Sequence, residues 1–352
     1  MTEKLSAETS LRGYAGVLTT QKLPYGLVPA ELCPVIHCVK SLNHLADRDV
    51  VALNPNGYVR TLFRVASEHN VLFATDRCNS FCLMCSQPPR DVDDSDRLSE
   101  HLRLIELIDP RTREMGITGG EPTLLKDGLI HIVRKCKEFL PQTAIHILSN
   151  GRLFYYGSYA HNLAEVGHTD LMVGIPLYAD TDHEHDYIVQ SRGAFDETMV
   201  GFQNLGRHGV AVEVRVVTHR LTVHRLENLA EFIYRNLPFA AHVAFMGLET
   251  VGFAVPNIET LWVDPWDYRH ELEQATRYLA DRGMHVSIYN HQLCTLPVSI
   301  WTYSRMSISD WKNEYLPICS ACTARERCGG FFSSSIRARH SEHIGPFEVL
   351  PA

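Results

Sequence analysis

Three of the ten cysteines lie within eight residues of one another, in the stretch CNSFCLMC, as Cys78, Cys82 and Cys85. Thiolates are ligands for soft metal centres, and two kinds of centre fit this spacing. A structural zinc site closes with four ligands, so zinc would need a distant fourth one. A cubane iron–sulfur cluster held by three cysteines keeps one iron open to a small molecule. The spacing predicts a metal centre and leaves these two alternatives open.

A second group of cysteines lies near the other end of the chain, at Cys319, Cys322 and Cys328, with Cys294 upstream. Together the four thiolates would close one [4Fe–4S] cluster. The alternatives are zinc on the same four ligands, or a three-cysteine cluster with an open iron. The sequence therefore predicts a second metal centre, with Cys294 as its most distant ligand.

Composition narrows the class of protein. The chain has 352 residues and a formal net charge of −8 with its 19 histidines neutral, which argues against general nucleic-acid binding. No apolar run approaches the ~20 residues of a membrane span, and the first residues do not resemble a secretory signal. We therefore expect a cytoplasmic protein, in which cysteines stay reduced and clustered ones serve metals or catalysis.

The other three cysteines are not expected to bind metal. Cys136 lies in a helical stretch, where a small buried hydrophobe is the ordinary role of a free cysteine. Cys33 and Cys38, in the stretch CPVIHC, have no further partner nearby and are interpreted as buried or free thiols.

The middle of the chain alternates between short β-type runs and segments with apolar residues at helical spacing. About six such units predict an α/β fold with a parallel sheet and crossover helices. Ligands collect at the carboxyl ends of such strands, and the first cysteine group directly follows the first strand. The predicted strands are residues 70–75, 113–118, 143–149, 170–178, 210–218 and 241–249.

The two ends of the chain have a different character. Residues 1–69 contain two alternating runs around NPNG, which predict a hairpin within a small β-rich N-terminal domain. Residues 291–352 contain no long periodic element, and a region with so little core usually needs a metal to hold it. The predicted domains are 1–69, 70–290 and 291–352.

Four stretches, taken in order, resemble the radical S-adenosylmethionine (radical SAM) superfamily. They are the C-x3-C-x2-C run CNSFCLMC, GITGGEP at 116–122, LSNG at 148–151 and VEVRVVT at 212–218, each at or near a predicted strand end. The resemblance covers roughly residues 70–290. It implies a partial (β/α)6 TIM-like barrel, preceded by the β-rich domain and followed by a loop-rich iron–sulfur region.

The resemblance also implies cofactors and their ligands. A [4Fe–4S] cluster on Cys78, Cys82 and Cys85 would pass an electron to SAM, and the radical released would abstract a hydrogen atom from substrate. The implied SAM contacts begin with Gly119, Gly120, Glu121 and Pro122 for the amino group. Ser149 and Asn150 would serve the ribose or carboxylate, Arg215 the carboxylate, and Met84, in place of the usual aromatic residue, the adenine.

A finer resemblance is to the C-type radical SAM maturase of His-Xaa-Ser peptide systems, through SQPPR and the C-terminal run ending CGGFF. It implies a ribosomally made precursor peptide as substrate and an oxidative crosslink as product. It also implies a partner maturase, a small companion protein, and a donor such as flavodoxin or ferredoxin. The alternatives are a radical SAM enzyme of small metabolites and a zinc-stabilised peptide adaptor without catalysis.

Three further features lie at or near predicted strand ends. Tyr178 and Glu249 are candidates for positioning substrate or returning a hydrogen atom, although packing explains them equally well. The stretch DTDHEHDYIV, residues 180–189, is interpreted as an exposed acidic loop near the mouth. Its histidines are not expected to bind a metal.

Overall fold

The computed structural model describes residues 15–23, 34–54, 56–306, 313–337 and 339–350. Its centre is a seven-stranded sheet in which every neighbouring pair is parallel and the spatial order follows the chain order. Among the described residues the sheet is open, because its first and last strands have one neighbour each. The predicted α/β class and partial TIM-like barrel are confirmed.

The strands alternate their side chains between two faces, as β geometry requires. One face carries the residues that pack under the helices, such as Ile117, Ile147 and Val214. The opposite face, called the inner face below, carries polar and small residues. The strands are β1 (Val17–Leu18), β2 (Val35–Ile36), β3 (Val50–Leu53), β4 (Val59–Phe63), β5 (Asn70–Phe73), β6 (Glu114–Thr118), β7 (Ala144–Leu148), β8 (Leu171–Pro176), β9 (Ala211–Thr218), β10 (His242–Gly247) and β11 (Val286–Tyr289).

Helices connect successive strands of the sheet and bury an apolar stripe against it. Leu129, Ile132 and Val133 of the second helix are all buried in this way. The helices are α1 (Asp96–Ile105), α2 (Asp127–Phe139), α3 (Gly157–Glu165), α4 (Asp182–Val189), α5 (Ala194–Arg207), α6 (Leu226–Asn236), α7 (Ile258–Leu261), α8 (Arg269–Ala280) and α9 (Ser333–Arg337).

Two elements differ from the expectation. The six predicted strands are present as β5–β10, but a seventh, β11, pairs with β10 beyond the predicted unit. Residues 182–189 form helix α4 rather than an exposed loop, and His185 on it is buried. An acidic first turn, with Asp182 and Glu184 at the helix N-terminus, is electrostatically favourable and explains why a polar stretch is helical here.

The ends of the chain pack against this sheet. The predicted hairpin forms from β3 and β4, and Gly57 in its turn takes a left-handed φ of 84°. Phe63 of β4 joins the main core, and Arg60 pairs with Glu100 of α1. The described part of residues 291–350 consists of short 3-10 turns, one five-residue helix and irregular chain. None of the described helices is long and apolar enough to cross a membrane.

Candidate functional site

The loop with the first three cysteines leaves the carboxyl end of β5 and is held at its base by two buried aspartates. Asp94 Oδ2 accepts hydrogen bonds from Thr75 Oγ1 at 2.6 Å and from the Asp76 backbone N–H at 2.8 Å. The Asp76 carboxylate binds the guanidinium groups of Arg90 and Arg97. The loop is therefore fixed to the strand end and to α1.

Cys78, Cys82 and Cys85 are half-buried in this loop. Burial raises the pKa of the Cys78 thiol to about 11, with the charge of Glu121 as the second cause. Burial is also the main cause that raises the pKa of Cys82, and the neighbouring thiols Cys85 and Cys78 add to it. Burial raises the pKa of Cys85 as well. The thiols would stay protonated near neutral pH unless a metal stabilised the thiolates.

These donors fit an iron–sulfur cluster in chemistry. Three soft thiols lie on one loop, close enough to influence each other's pKa, at the end of the sheet where ligands bind. Within the described residues, no three His, Cys, Asp or Glu side chains converge on a point that would hold a single metal ion.

The glycine pair at the end of β6 lies directly against the cysteine loop. A Cβ on Gly119 would sit 2.6 Å from the Thr75 carbonyl oxygen, and one on Gly120 would sit 2.2 Å from that of Arg77. The backbone N–H of Gly120 donates to Thr75 O at 2.6 Å, and that of Glu121 donates to Arg77 O at 2.8 Å. Only glycine permits this approach, so the two loops form one unit.

The side chain of Glu121, which follows β6, is hydrogen-bonded to the residues that follow β7. Its carboxylate is fully buried and accepts hydrogen bonds from Ser149 Oγ at 2.7 Å and the Asn150 backbone N–H at 2.6 Å. Thr123 adds two more, from its backbone N–H at 3.0 Å and its hydroxyl at 2.5 Å. Burial raises the pKa of Glu121, and these hydrogen bonds oppose the rise. The predicted residues Glu121, Ser149 and Asn150 thus share one network; Pro122 directly follows it in a 3-10 turn.

Asn150 carries this network back to the cysteines. Its side-chain amide donates to Asn79 Oδ1 at 2.6 Å and lies 3.9 Å from Cys78 Sγ. Arg152 reaches the Ser80 hydroxyl at 3.0 Å and pairs with Glu197 of α5. The ends of β5, β6 and β7 are therefore cross-linked by polar side chains around the cysteine loop.

Met84, beside the third cysteine, belongs to a small apolar cluster above the sheet. It is buried with Tyr178, Ile188, Val189 and Leu261 as its neighbours in that cluster. Residues of α4 therefore cover the cysteine loop, and the backbone N–H of Leu83 donates to Ile188 O at 2.9 Å. An apolar wall next to the cysteines suits a flat aromatic ring.

Arg215 lies on the inner face and is held by a buried polar row. It donates to Glu213 Oε1 at 2.6 Å, and the other carboxylate oxygen lies 2.7 Å from His242 Nδ1. His242 Nε2 in turn lies 2.9 Å from Ser287 Oγ. Burial alone would raise the pKa of Glu213, but the hydrogen bond to His242 and the charge of Arg215 hold it at about 2. Arg215 therefore forms an ion pair with Glu213 through one terminal nitrogen, and its other N–H groups do not take part in that pair.

We expect the free energy of unfolding of the Glu213→Gln variant to be about 3 kcal/mol lower than that of wild type at pH 7. A glutamate pKa lowered from 4.5 to about 2 in the folded protein corresponds to a stabilisation of that size. The difference should stay constant between about pH 8 and 5.5, since this stabilisation is complete above the ordinary pKa of a glutamate and is lost only as pH falls towards 2. Urea unfolding at several pH values measures it. Equal stability of the two proteins at pH 7 would contradict the assignment.

The C-terminal cysteines meet in one pocket. Cys294, Cys319, Cys322 and Cys328 all line it, together with apolar residues such as Phe347. Burial raises the pKa of Cys294 to about 11, and Cys328 and Cys319 add to the rise. The distant Cys294 therefore lies with the other three, as a four-thiolate centre requires.

The remaining candidates have different surroundings. Cys136 is buried in the main core, as predicted, and Cys38 is exposed, whereas Cys33 lies outside the described residues. Glu249 is half-buried just beyond β10, and Tyr178 is buried beyond β8. Glu213 is a site residue that was not predicted, although a charged pair inside the β-branched run VEVRVVT indicates a strand with one polar face.

Residues 72–233 match the family model of the radical SAM superfamily. No curated protein matches the chain in sequence. Among solved structures, Streptococcus suis SuiB bound to S-adenosylmethionine is similar, with 16% identity, a TM-score of 0.51, and coverage of 70% of this chain and 54% of SuiB. The chain thus spans about half the length of SuiB, and the likeness shows a shared fold.

Two further structures are similar at lower TM-scores. SuiB bound to its precursor peptide SuiA has 15% identity and a TM-score of 0.48, with 67% of this chain and 51% of that one covered. Native anSMEcpe with bound AdoMet and the Cp18Cys peptide has 16% identity and a TM-score of 0.48, with 62% of each chain covered.

Proposed function

From the match of residues 72–233 to the radical SAM superfamily model, we propose that the chain is an enzyme that cleaves SAM reductively and abstracts hydrogen from a ribosomally made precursor peptide. The observation that carries the proposal is the cross-linked unit of cysteine loop, glycine pair and Glu121 network at the strand ends. The finer proposal is a peptide with His-x-Ser repeats that receives an oxidative crosslink. Its support is the C-terminal motif and the four-cysteine pocket.

Cys78, Cys82 and Cys85 would hold the catalytic [4Fe–4S] cluster. With such a cluster bound, these three cysteines would place next to SAM the electron donor that its cleavage needs. The protein's part is to hold the three thiolates on a loop that cannot drift, since Asp76 and Asp94 fix its base. The rest of the chemistry depends on how SAM and substrate are oriented and shielded from water.

The residues around the loop would bind the rest of SAM. Gly119 and Gly120, whose backbone lies against the cysteine loop, would receive the amino group of SAM together with Glu121 and Pro122. Ser149 and Asn150 would place the ribose or carboxylate. Arg215 would attract the carboxylate, and Met84 would pack on the adenine.

A second [4Fe–4S] cluster would occupy the pocket of Cys294, Cys319, Cys322 and Cys328. Crosslinking removes an electron from the substrate after hydrogen abstraction, and a second cluster could accept it. The partners in this proposal are the precursor peptide, a second maturase, a small companion protein, and flavodoxin or ferredoxin as donor.

Anaerobically purified protein should be brown and contain about eight iron and eight sulfide atoms per chain, because two cubanes are proposed. Metal analysis of the full-length chain provides the measurement. Colourless protein with stoichiometric zinc would contradict the proposal and favour the zinc-stabilised adaptor. A measured content of about four iron atoms per chain would be consistent with the catalytic cluster alone and would contradict the second cluster.

A further inference from the structure

Residues 344–347, called the closing segment below, all line the pocket of the four C-terminal cysteines. The chain is anchored just before it enters this segment. Asp264 accepts a hydrogen bond from the Glu342 backbone N–H at 3.1 Å, and the ring of His343 stacks on that of Trp266 with 4.8 Å between the centroids. The closing segment therefore starts from a fixed point beside the pocket.

The other end of the closing segment is fixed at Phe347. Its carbonyl oxygen accepts hydrogen bonds from the backbone N–H and from the hydroxyl of Thr323, both at 2.9 Å. Its ring meets the Trp301 ring edge to face, with 5.1 Å between the centroids, and packs against the main core. Because its carbonyl group and its ring are both engaged, Phe347 presents its N–H in one direction.

The partner of that N–H is a cysteine sulfur. The Phe347 backbone N–H donates to Cys322 Sγ at 3.4 Å. A second donor comes from the same segment: burial raises the pKa of Cys294, and a backbone hydrogen bond from Gly345 opposes the rise. The closing segment therefore directs two peptide donors at two of the four sulfurs.

The rest of the pocket offers little else to balance a negative charge. Its other lining residues include Leu293, Ala324 and Phe331, and Arg325 is the one cation among the described residues that line it. The Arg325 guanidinium lies over the Tyr315 ring, 4.9 Å from its centroid. In such apolar surroundings an N–H donor acts on a thiolate more strongly than it would in water.

Hydrogen bonds to the sulfurs are one of the means by which a protein sets the reduction potential of an iron–sulfur cluster. Reduction adds one negative charge, so a donor that faces the sulfurs stabilises the reduced form more than the oxidised form. Such donors therefore raise the potential and favour electron uptake. An electron acceptor in oxidative crosslinking needs a shift in this direction.

We propose that the closing segment raises the reduction potential of the second cluster by donating the Phe347 and Gly345 N–H groups to its cysteine sulfurs. The inference rests on the proposed function and deepens it, because it names the residues that favour electron uptake there. One electron would enter from the peptide radical as this radical loses a proton. The electron would then leave to oxidised flavodoxin or ferredoxin.

The test compares Phe347→Pro with Phe347→Ala in the full-length chain with its iron–sulfur centres. Both variants lose the ring and keep the carbonyl group that Thr323 binds, but only proline removes the N–H. A potentiometric titration followed by EPR measures the midpoint potential. The same titration with Cys78, Cys82 and Cys85 replaced by alanine identifies the signal of the second cluster, and iron analysis shows whether that cluster is retained.

We expect the ratio of reduced to oxidised second cluster, at one applied potential, to be about tenfold lower in Phe347→Pro than in Phe347→Ala. One hydrogen bond to a charged acceptor is lost, and a tenfold change is about 59 mV for one electron. Gly345→Pro against Gly345→Ala is a second pair, since a Cβ at Gly345 meets no atom within 4 Å. It should shift in the same direction, and it decides the matter if Phe347→Pro loses the cluster.

Equal midpoint potentials within both pairs, at full iron content, would overturn the inference and leave the proposed function standing. Loss of the second cluster in both proline variants and in neither alanine variant would also overturn it, because the donors would then hold the cluster rather than tune it. If the variant without Cys78, Cys82 and Cys85 contains no iron while wild type still cleaves SAM, the second cluster is absent. The inference then fails together with that part of the proposed function, and the catalytic cluster stands.

Discussion

The variant with Cys78, Cys82 and Cys85 all replaced by alanine will produce no 5′-deoxyadenosine from SAM under reducing conditions, while it keeps about half of the wild-type iron. The physical reason is that all three proposed ligands of the catalytic cluster lie on one loop, so the variant keeps no thiol there to hold it. The C-terminal pocket is built by other residues and should retain its cluster, visible by EPR after reduction.

Two single variants control for loss of any thiol. Cys136→Ala removes a thiol buried in the main core, and Cys38→Ala removes an exposed one. Both should keep the iron content and the SAM cleavage of wild type, although Cys136→Ala should lower the thermal midpoint because it leaves a small cavity. Continued production of 5′-deoxyadenosine by the triple variant would remove the catalytic role from this loop.

The sheet could be predicted because each strand is a short apolar or β-branched run with a helix after it. Strands β5–β10 lie within the predicted segments, and the structure trims the predicted ends by one to two residues in most of them. The NPNG hairpin was equally predictable, since a glycine with positive φ is what such a turn needs. Both features depend on residues that are close together in the chain, so the sequence alone is enough to predict them.

Strand β11 and helix α4 were missed for the same physical reason. The segment Val286–Tyr289 has only four residues and gains its place by pairing with β10. Helix α4 contains few apolar residues, and besides its acidic first turn it is stabilised by Ile188 and Val189, which pack over the cysteine loop. Tertiary contacts decide both elements, and periodicity along the chain does not report such contacts.

The site was predictable as a set of loops but not as a network. Strand-end positions indicated that the cysteines, the glycine pair and Ser149 would meet, and the structure brings them together. The hydrogen bonds of the Glu121 carboxylate with Thr123, Ser149 and Asn150 were not predictable, because they depend on the approach of separate loops. Side-chain partners across strands are a property of register, which one sequence does not reveal.

Co-expression of the chain with a His-x-Ser repeat peptide is expected to yield peptide that has lost two hydrogens per modified repeat, as mass spectrometry would show. Abstraction of one hydrogen leaves a carbon radical, and closing a crosslink releases a proton and one further electron. That electron needs an acceptor, and a cluster in the pocket lined by Cys294, Cys319, Cys322 and Cys328 would be one.

A variant with Cys319→Ala and Cys322→Ala should therefore cleave SAM but make no crosslinked peptide. Cys319 lies in a short 3-10 turn and Cys322 directly follows it, both outside the main sheet, so the barrel should fold without them. Cys38→Ala, exposed and remote in sequence, is the matched control and should give normal product. Unchanged peptide mass with wild-type protein, despite SAM cleavage, would mean that the substrate is wrong or that a second maturase is needed.

The double variant also separates electron transfer from folding. If it loses the product but keeps SAM cleavage, barrel stability and peptide binding, the pocket serves the oxidation step. If it loses peptide binding as well, the C-terminal region acts as a structural cover over the barrel mouth, where Phe331 and Ser341 line a pocket with the strand-end residues Thr218 and Gly247. If it remains folded and still makes crosslinked peptide, the electron must leave by another route, and the second centre has no part in the oxidation.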